Sequence, residues 1–256
     1  MNDIRQKRLN GAQLKIIAVI SMAIDHTAIA LIQNVLLPYG DLASGSIHTL
    51  QILYILMRSL GRLAFPIYCF FLVQGFLYTH SRRAYTLRLL LFGFISEIPF
   101  DLALYRTCWY PLHQNVMFEL AAAVMELTLF EAIRSVRSLR IARRTIHLSR
   151  TVSLAAAFLT SILCMIIAET LKLDYGWMGL CLILLLYVTR TNPKLQCAAG
   201  AVFTALFELP GAAAFLLLYL YSGQRGRQRK YFFYAFYPVH LLLLAAIETV
   251  LIRFLF

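Results

Sequence analysis

Runs of apolar residues long enough to cross a bilayer alternate along this chain with short tracts of arginine and lysine. A crossing helix needs about 20 such residues at about 1.5 Å of rise each, and short ones about 17. Leu14–Leu37, Gly61–Thr79, Ala84–Leu104, Asn115–Ile133, Thr151–Thr170 and Ala235–Phe256 read as spans. Gly176–Thr189, Gln196–Leu209 and Gly211–Ser222 are shorter pieces, the last two parted by Pro210, and read as short spans or half-helices. Ile47–Leu60, which carries Arg58, reads as an inclined or re-entrant helix. The expected architecture is all-α: one polytopic domain over residues 1–256 with about nine transmembrane helices. With 61% of residues hydrophobic and 14% charged, the chain has too little polar surface to cover a soluble globule. A lipid bilayer must solvate much of the exterior.

The positions of the basic residues orient this layout. With the N-terminus in the cytoplasm, all but Arg58, Arg62, Arg106, Lys172 and Arg253 of the 24 Lys and Arg residues fall in alternate, cytoplasmic segments. This is the positive-inside pattern of a multi-pass cell-membrane protein. It also accounts for the net charge of +12 without nucleic acid, which would call for a basic stripe on one face. The tract from Ser135 to Arg150 is expected to anchor on anionic lipid. The polar start of the chain is unlike a cleaved signal, so the first apolar run is expected to be a retained anchor. Cys69, Cys108, Cys164, Cys181 and Cys197 lack metal-ligand spacing, and no metal site is expected.

Ionisable groups at membrane depth are costly and mark function by default. Counted from the nearest basic residue, Asp25, His26, Glu97 and His240 each lie roughly 14–17 Å into their spans. Asp101 follows Glu97 by one turn. Asp25 and His26 are adjacent, so they point about 100° apart and need separate partners. His240 alone reads first as a hydrogen-bonded packing residue. Glu97 and Asp101 could be acid/base groups or counter-ions for Arg58 and Arg62. Glu119, Glu126, Glu131, Glu169, Glu208 and Glu248 read as pairing or boundary residues. The nucleotide-binding, zinc-protease and serine-hydrolase motifs are absent from the sequence.

Six ordered stretches resemble the TraX family: LKIIAVISMAIDHTAIAL from Leu14, GRLAFPIYCFFLVQGF from Gly61, FISEIPFDLA from Phe94, HQNVMFEL from His113, DYGWMG from Asp174 and FFYAFYPVHLLLL from Phe232. That family is named for a conjugative-plasmid protein linked to N-terminal acetylation of F-type pilin. It looks related to the wider transmembrane acyltransferases, which draw acetyl groups from cytosolic acetyl-CoA and keep a histidine in an early span. The pilin itself is not carried over to this chain.

The resemblance implies an acetyl-CoA-dependent acyltransferase whose histidine is His26. It would act as general base, or carry the acetyl group covalently; direct transfer needs fewer groups. Asp25 or Glu97 would orient the imidazole, and Arg82, Arg83 and Arg88 would hold the CoA phosphates. Asn115 and Asp174, within the matching stretches, join Arg58, Arg62, Asp101 and His240 as polar residues for substrate or structure. The acceptor, a protein N-terminus, glycan or lipid, is left open. The rival expectation is a proton-coupled transporter or flippase, because midplane Asp, Glu and His also suit a proton relay. A structural membrane subunit is the third.

Overall fold

The computed structural model describes residues 9–39, 44–141, 144–227 and 230–255. Asn10 starts α1 (Gly11–Thr27) with a reciprocal cap: the Gln13 N–H donates to Asn10 Oδ1 at 3.0 Å, and the Asn10 N–H donates to Gln13 Oε1 at 2.9 Å. The helix then widens into a π-helical stretch, Ala28–Leu36, and ends in the short α2 (Leu37–Tyr39). A two-residue turn at Arg62 and Leu63 joins α3 (Ser44–Gly61) to α4 (Ala64–Tyr78), and the Arg62 N–H still donates to the Arg58 carbonyl at 3.1 Å. Ser81 caps α5 (Arg82–Tyr105), and Arg106 closes it in the left-handed region at φ 58°. Asn115 caps α6 (Val116–Arg134).

The antiparallel strands β1 (Ser138–Ile141) and β2 (Arg144–His147) precede α7 (Arg150–Thr170), which Ser149 caps. Then come α8 (Gly176–Val188) and α9 (Pro193–Phe207). A 3-10 turn (Leu209–Ala213) leads into α10 (Ala214–Tyr219), and α11 (Lys230–Leu255) follows.

The helices pack around one apolar interior. α1 lies against α3, α4 and α11; α5 lies between α6 and α11; α6 packs on α7 and α8; and α8 lies between α4 and α9. Leu14, Ile67, Phe76, Phe100, Leu127, Tyr187 and Leu241 are among the fully buried side chains. Two short backbone pairings tie the ends together. Leu9 pairs with Tyr221 beside the start of α1, and Gln114 pairs with Leu173 between α6 and α8. The first pairing lies at the end rich in Arg and Lys, the second at the opposite end.

Among the described residues, four helical runs are long and apolar enough to cross a membrane by length and composition: Gly11–Leu36, Gly45–Tyr78, Arg150–Thr170 and Tyr231–Phe254. Gly176–Val188 and Leu209–Tyr219 are shorter apolar helices. Among the longer helices, α5 and α6 fall outside that set because each carries several ionisable side chains, of which Glu97, Asp101, Glu119 and Glu126 are buried.

Two features differ from the sequence reading. The inclined segment and the second span form a single 34-residue helical run with one bend. Part of the basic tract folds as a hairpin, a four-residue local pairing that helix-length apolar counting does not detect.

Candidate functional site

α1 and α11 bring His26 and His240 together. His26 Nδ1 lies 2.7 Å from His240 Nε2, and His240 Nδ1 lies 2.7 Å from the Phe236 carbonyl oxygen one turn earlier. The two imidazoles are nearly parallel, 11° apart with centroids at 5.0 Å. Phe236 stacks on His240 at 4.7 Å and 13°. Tyr237 meets His26 edge-on at 6.0 Å. His240 is buried and His26 half-buried. The π-helical stretch begins two residues after His26, and such widened turns recur at functional sites.

This geometry corrects the expected orienting partners. Asp25 pairs with Arg58 of α3 instead of turning toward His26. Adjacent helix positions diverge by about 100°, and α3 lies on Asp25's side. Gly61 permits the approach, since a Cβ there would overlap the Asp25 carboxylate. Glu97 accepts from the Asn115 side-chain amide, which also donates to the Gly93 carbonyl at 2.8 Å. Glu97 thus fixes the start of α6. Asp101 accepts the Tyr110 N–H at 2.7 Å. Glu97 and Asp101 are therefore not the counter-ions of Arg58 and Arg62; Arg62 pairs with Glu208 at 2.8 Å. Glu248 pairs with Arg106, and Glu131 with Arg134, as the pairing reading expected.

Asp174 takes up His113 of the loop before α6, with Nε2 to Oδ1 at 3.0 Å. The Asp174 hydrogen bond raises the His113 pKa above its usual value near 6.5, and outweighs the burial that lowers it. Such a group stabilises the fold fully below its unfolded value, and that contribution is lost as pH rises through the raised folded value. The melting temperature of the purified protein should therefore fall across that window. His113→Gln should remove this part of the slope, and an unchanged slope would contradict the pairing.

At the basic end the helices enclose a cavity of about 1420 Å³. Lys15, Arg88, Arg190, Lys194 and Arg225 line it together with several tyrosines, and among the described residues no carboxylate lines it. Lys15 lies over the Phe71 and Phe233 rings at 4.9 and 5.6 Å. Arg190 lies over Tyr187 at 3.9 Å and donates to its carbonyl at 2.6 Å. Both cations are thereby held in place. Of the three arginines expected here, only Arg88 lines the cavity; Arg82 lies over the Phe76 ring at 4.2 Å, and Arg83 is exposed on the first turn of α5. Inward, the cavity reaches Tyr68, Met117 and Leu120. Tyr237, the neighbour of His26, lies within hydrogen-bonding reach of Val116, next to Met117. Among the described residues, no three His, Cys, Asp or Glu side chains are grouped to hold a metal ion.

Lys15, Arg190, Lys194 and Arg225 entered the sequence reading only as topology signals. Their convergence depends on how α1, α8, α9 and the segment after α10 meet, which spacing does not reveal. The pairing of the two histidines had a signal: both were placed at one depth.

A family model described as TraX protein matches residues 10–248. The chain is similar to a Dichelobacter nodosus protein called "Probable fimbrial assembly protein FimC, serogroup H1". The two are 29% identical over 268 residues, covering 93% of this chain and 96% of that relative. No solved structure matches.

Proposed function

We propose, from the premise that this chain belongs to the TraX protein family, that it is an acyltransferase that moves an acetyl group from cytosolic acetyl-CoA to an amine or hydroxyl acceptor. It is a membrane protein, with four helical runs among the described residues apolar and long enough to cross a bilayer. The observation that carries the donor assignment is the convergence of five cations on one cavity, with no carboxylate among its described lining residues. Its volume, about 1420 Å³, exceeds the roughly 300–1,000 Å³ of ordinary ligand pockets. Converging cations of this kind suit the phosphates of a nucleotide thioester. The fimbrial-assembly name of the Dichelobacter nodosus relative is compatible with a protein acceptor. A glycan or lipid would meet the same chemistry.

In this reading the basic end faces the cytoplasm and the chain crosses the membrane about nine times. The pairing of Leu9 with Tyr221 supports it, because an even number of crossings would return the segment after α10 to the side where α1 starts. The thioester carbonyl enters from the cavity toward His26. There the imidazole removes a proton from the acceptor as it attacks, and returns it to the departing thiolate. A thioester is already activated, so positioning and one base are the main requirements. A proton-coupled transporter would draw on the same histidines, but gives the carboxylate-poor basic cavity no role.

The test is equilibrium binding of acetyl-CoA to purified protein. Arg88→Ala and Lys194→Ala should each weaken binding by about 1.5–3 kcal/mol, the usual worth of a charge-assisted contact. Arg83→Ala, off the cavity wall, should leave it unchanged. Equal affinity in all three variants would move the phosphates elsewhere.

A further inference from the structure

We propose that His240 is a positioning residue which fixes the tautomer of His26 and leaves Nε2 of His26 as the nitrogen that acts on substrate. This rests on the reading of His26 as the base. The argument follows the hydrogen-bond chain from its fixed end. The Phe236 carbonyl can only accept, so His240 Nδ1, 2.7 Å away, carries the proton and donates it. A neutral His240 then has a lone pair at Nε2. His26 Nδ1, 2.7 Å from that lone pair, must be the donor. The proton of neutral His26 is thus committed to Nδ1, and its Nε2 is left unprotonated.

Carboxylates usually set a histidine tautomer in this way. Here a second imidazole anchored on a helix carbonyl takes that place, because Asp25 is engaged by Arg58. The two imidazoles are nearly parallel at 11° and meet edge to edge through the hydrogen bond, and Phe236 stacked on His240 holds that ring in this orientation.

The device also balances as a proton step. When His26 Nε2 takes the acceptor's proton, the imidazolium can pass its Nδ1 proton to His240 Nε2. His26 is then neutral with a proton at Nε2, and His240 is cationic with both nitrogens donating. Reversal returns the proton to the thiolate that leaves. Neither histidine changes its hydrogen-bond partner in this exchange, and no other co-reactant is needed.

The tautomer can be read independently of turnover, by nitrogen-15 NMR of protein with labelled histidines, resonances assigned by the His26→Ala and His240→Ala variants. The expected result is a protonated Nδ1 and an unprotonated Nε2 on His26. Protonated Nε2 in the neutral unsubstituted protein would overturn the proposal, even if His26 proves to be the base. Turnover gives the second readout. His240→Ala should lower kcat on the order of 10–100-fold, the usual cost of losing such a support, with KM for acetyl-CoA unchanged. His240→Gln, whose side-chain oxygen can accept from His26 Nδ1, should recover most of kcat. A His240→Gln variant as slow as His240→Ala would overturn the positioning role, and so would a His240→Ala variant with unchanged kcat. Loss of activity in His26→Ala with an unaltered His240→Ala would leave the base assignment standing and remove only this inference.

Discussion

His26→Ala is expected to lower acetyl-CoA turnover by about 10²–10⁴-fold, the usual cost of losing a general base. Folding and acetyl-CoA binding should stay close to those of the unsubstituted protein. The cavity proposed for the donor does not include His26 among its described lining residues, so phosphate contacts made there would survive the substitution. The fold also survives, because the imidazole's hydrogen-bond partner is the side chain of His240. Removing it leaves Nε2 of His240 without a donor, a modest loss beside the rate effect. Release of CoA thiol from acetyl-CoA serves as the assay before the acceptor is known. A folded His26→Ala protein with full turnover would assign the base to another residue and make the histidine pair structural.

The second large effect is on stability. Asp25→Ala should cost about 3–5 kcal/mol, because it leaves the Arg58 guanidinium inside the protein without its counter-charge. The Asp25 side chain is 14% exposed and that of Arg58 21%, so little water remains to compensate. The pair also fastens α3 to α1, at the point where Gly61 lets the two helices approach. Replacing Arg58 with Met in the same protein should recover most of the loss, since an apolar side chain of similar length needs no partner. Denaturation in detergent measures both variants. An Asp25→Ala protein within about 0.5 kcal/mol of the parent would mean that the pair is solvated and stabilises nothing.

Periodicity and apolar length made most of the helices legible, because a span must satisfy its own backbone and so writes its length into the sequence. The hairpin in the basic tract was not legible, since four-residue strands leave too few positions to set a period. The joined run of α3 and α4 was read as two elements, an inclined segment to Leu60 and a span from Gly61, because apolar counting does not show whether hydrogen bonding continues across a junction. The structure keeps a bend there, yet the backbone hydrogen bonding continues through Arg62.

For the candidate site, depth along each helix was legible, whereas rotation about the helix axis was not. His26 and His240 were placed at one depth, but only the packing of α1 on α11 makes them neighbours. Asp25 and Glu97 were placed at that depth too, but their rotation directs them to Arg58 and Asn115. His240, read alone as a packing residue, takes its proposed role from its neighbour. The cavity arises where chain segments far apart in sequence converge, and a local pattern cannot display that convergence.

The most direct measurement of the proposed activity follows the acetyl group itself. Membranes from cells producing this protein, and from cells producing His26→Ala at equal amounts, would be incubated with acetyl-CoA labelled in the acetyl carbons. The label would then be followed into protein, glycan and lipid fractions. Acyl transfer through His26 predicts label in one of these fractions with the unsubstituted protein, and at least about a hundredfold less with the variant. Equal incorporation from the two membranes would contradict it.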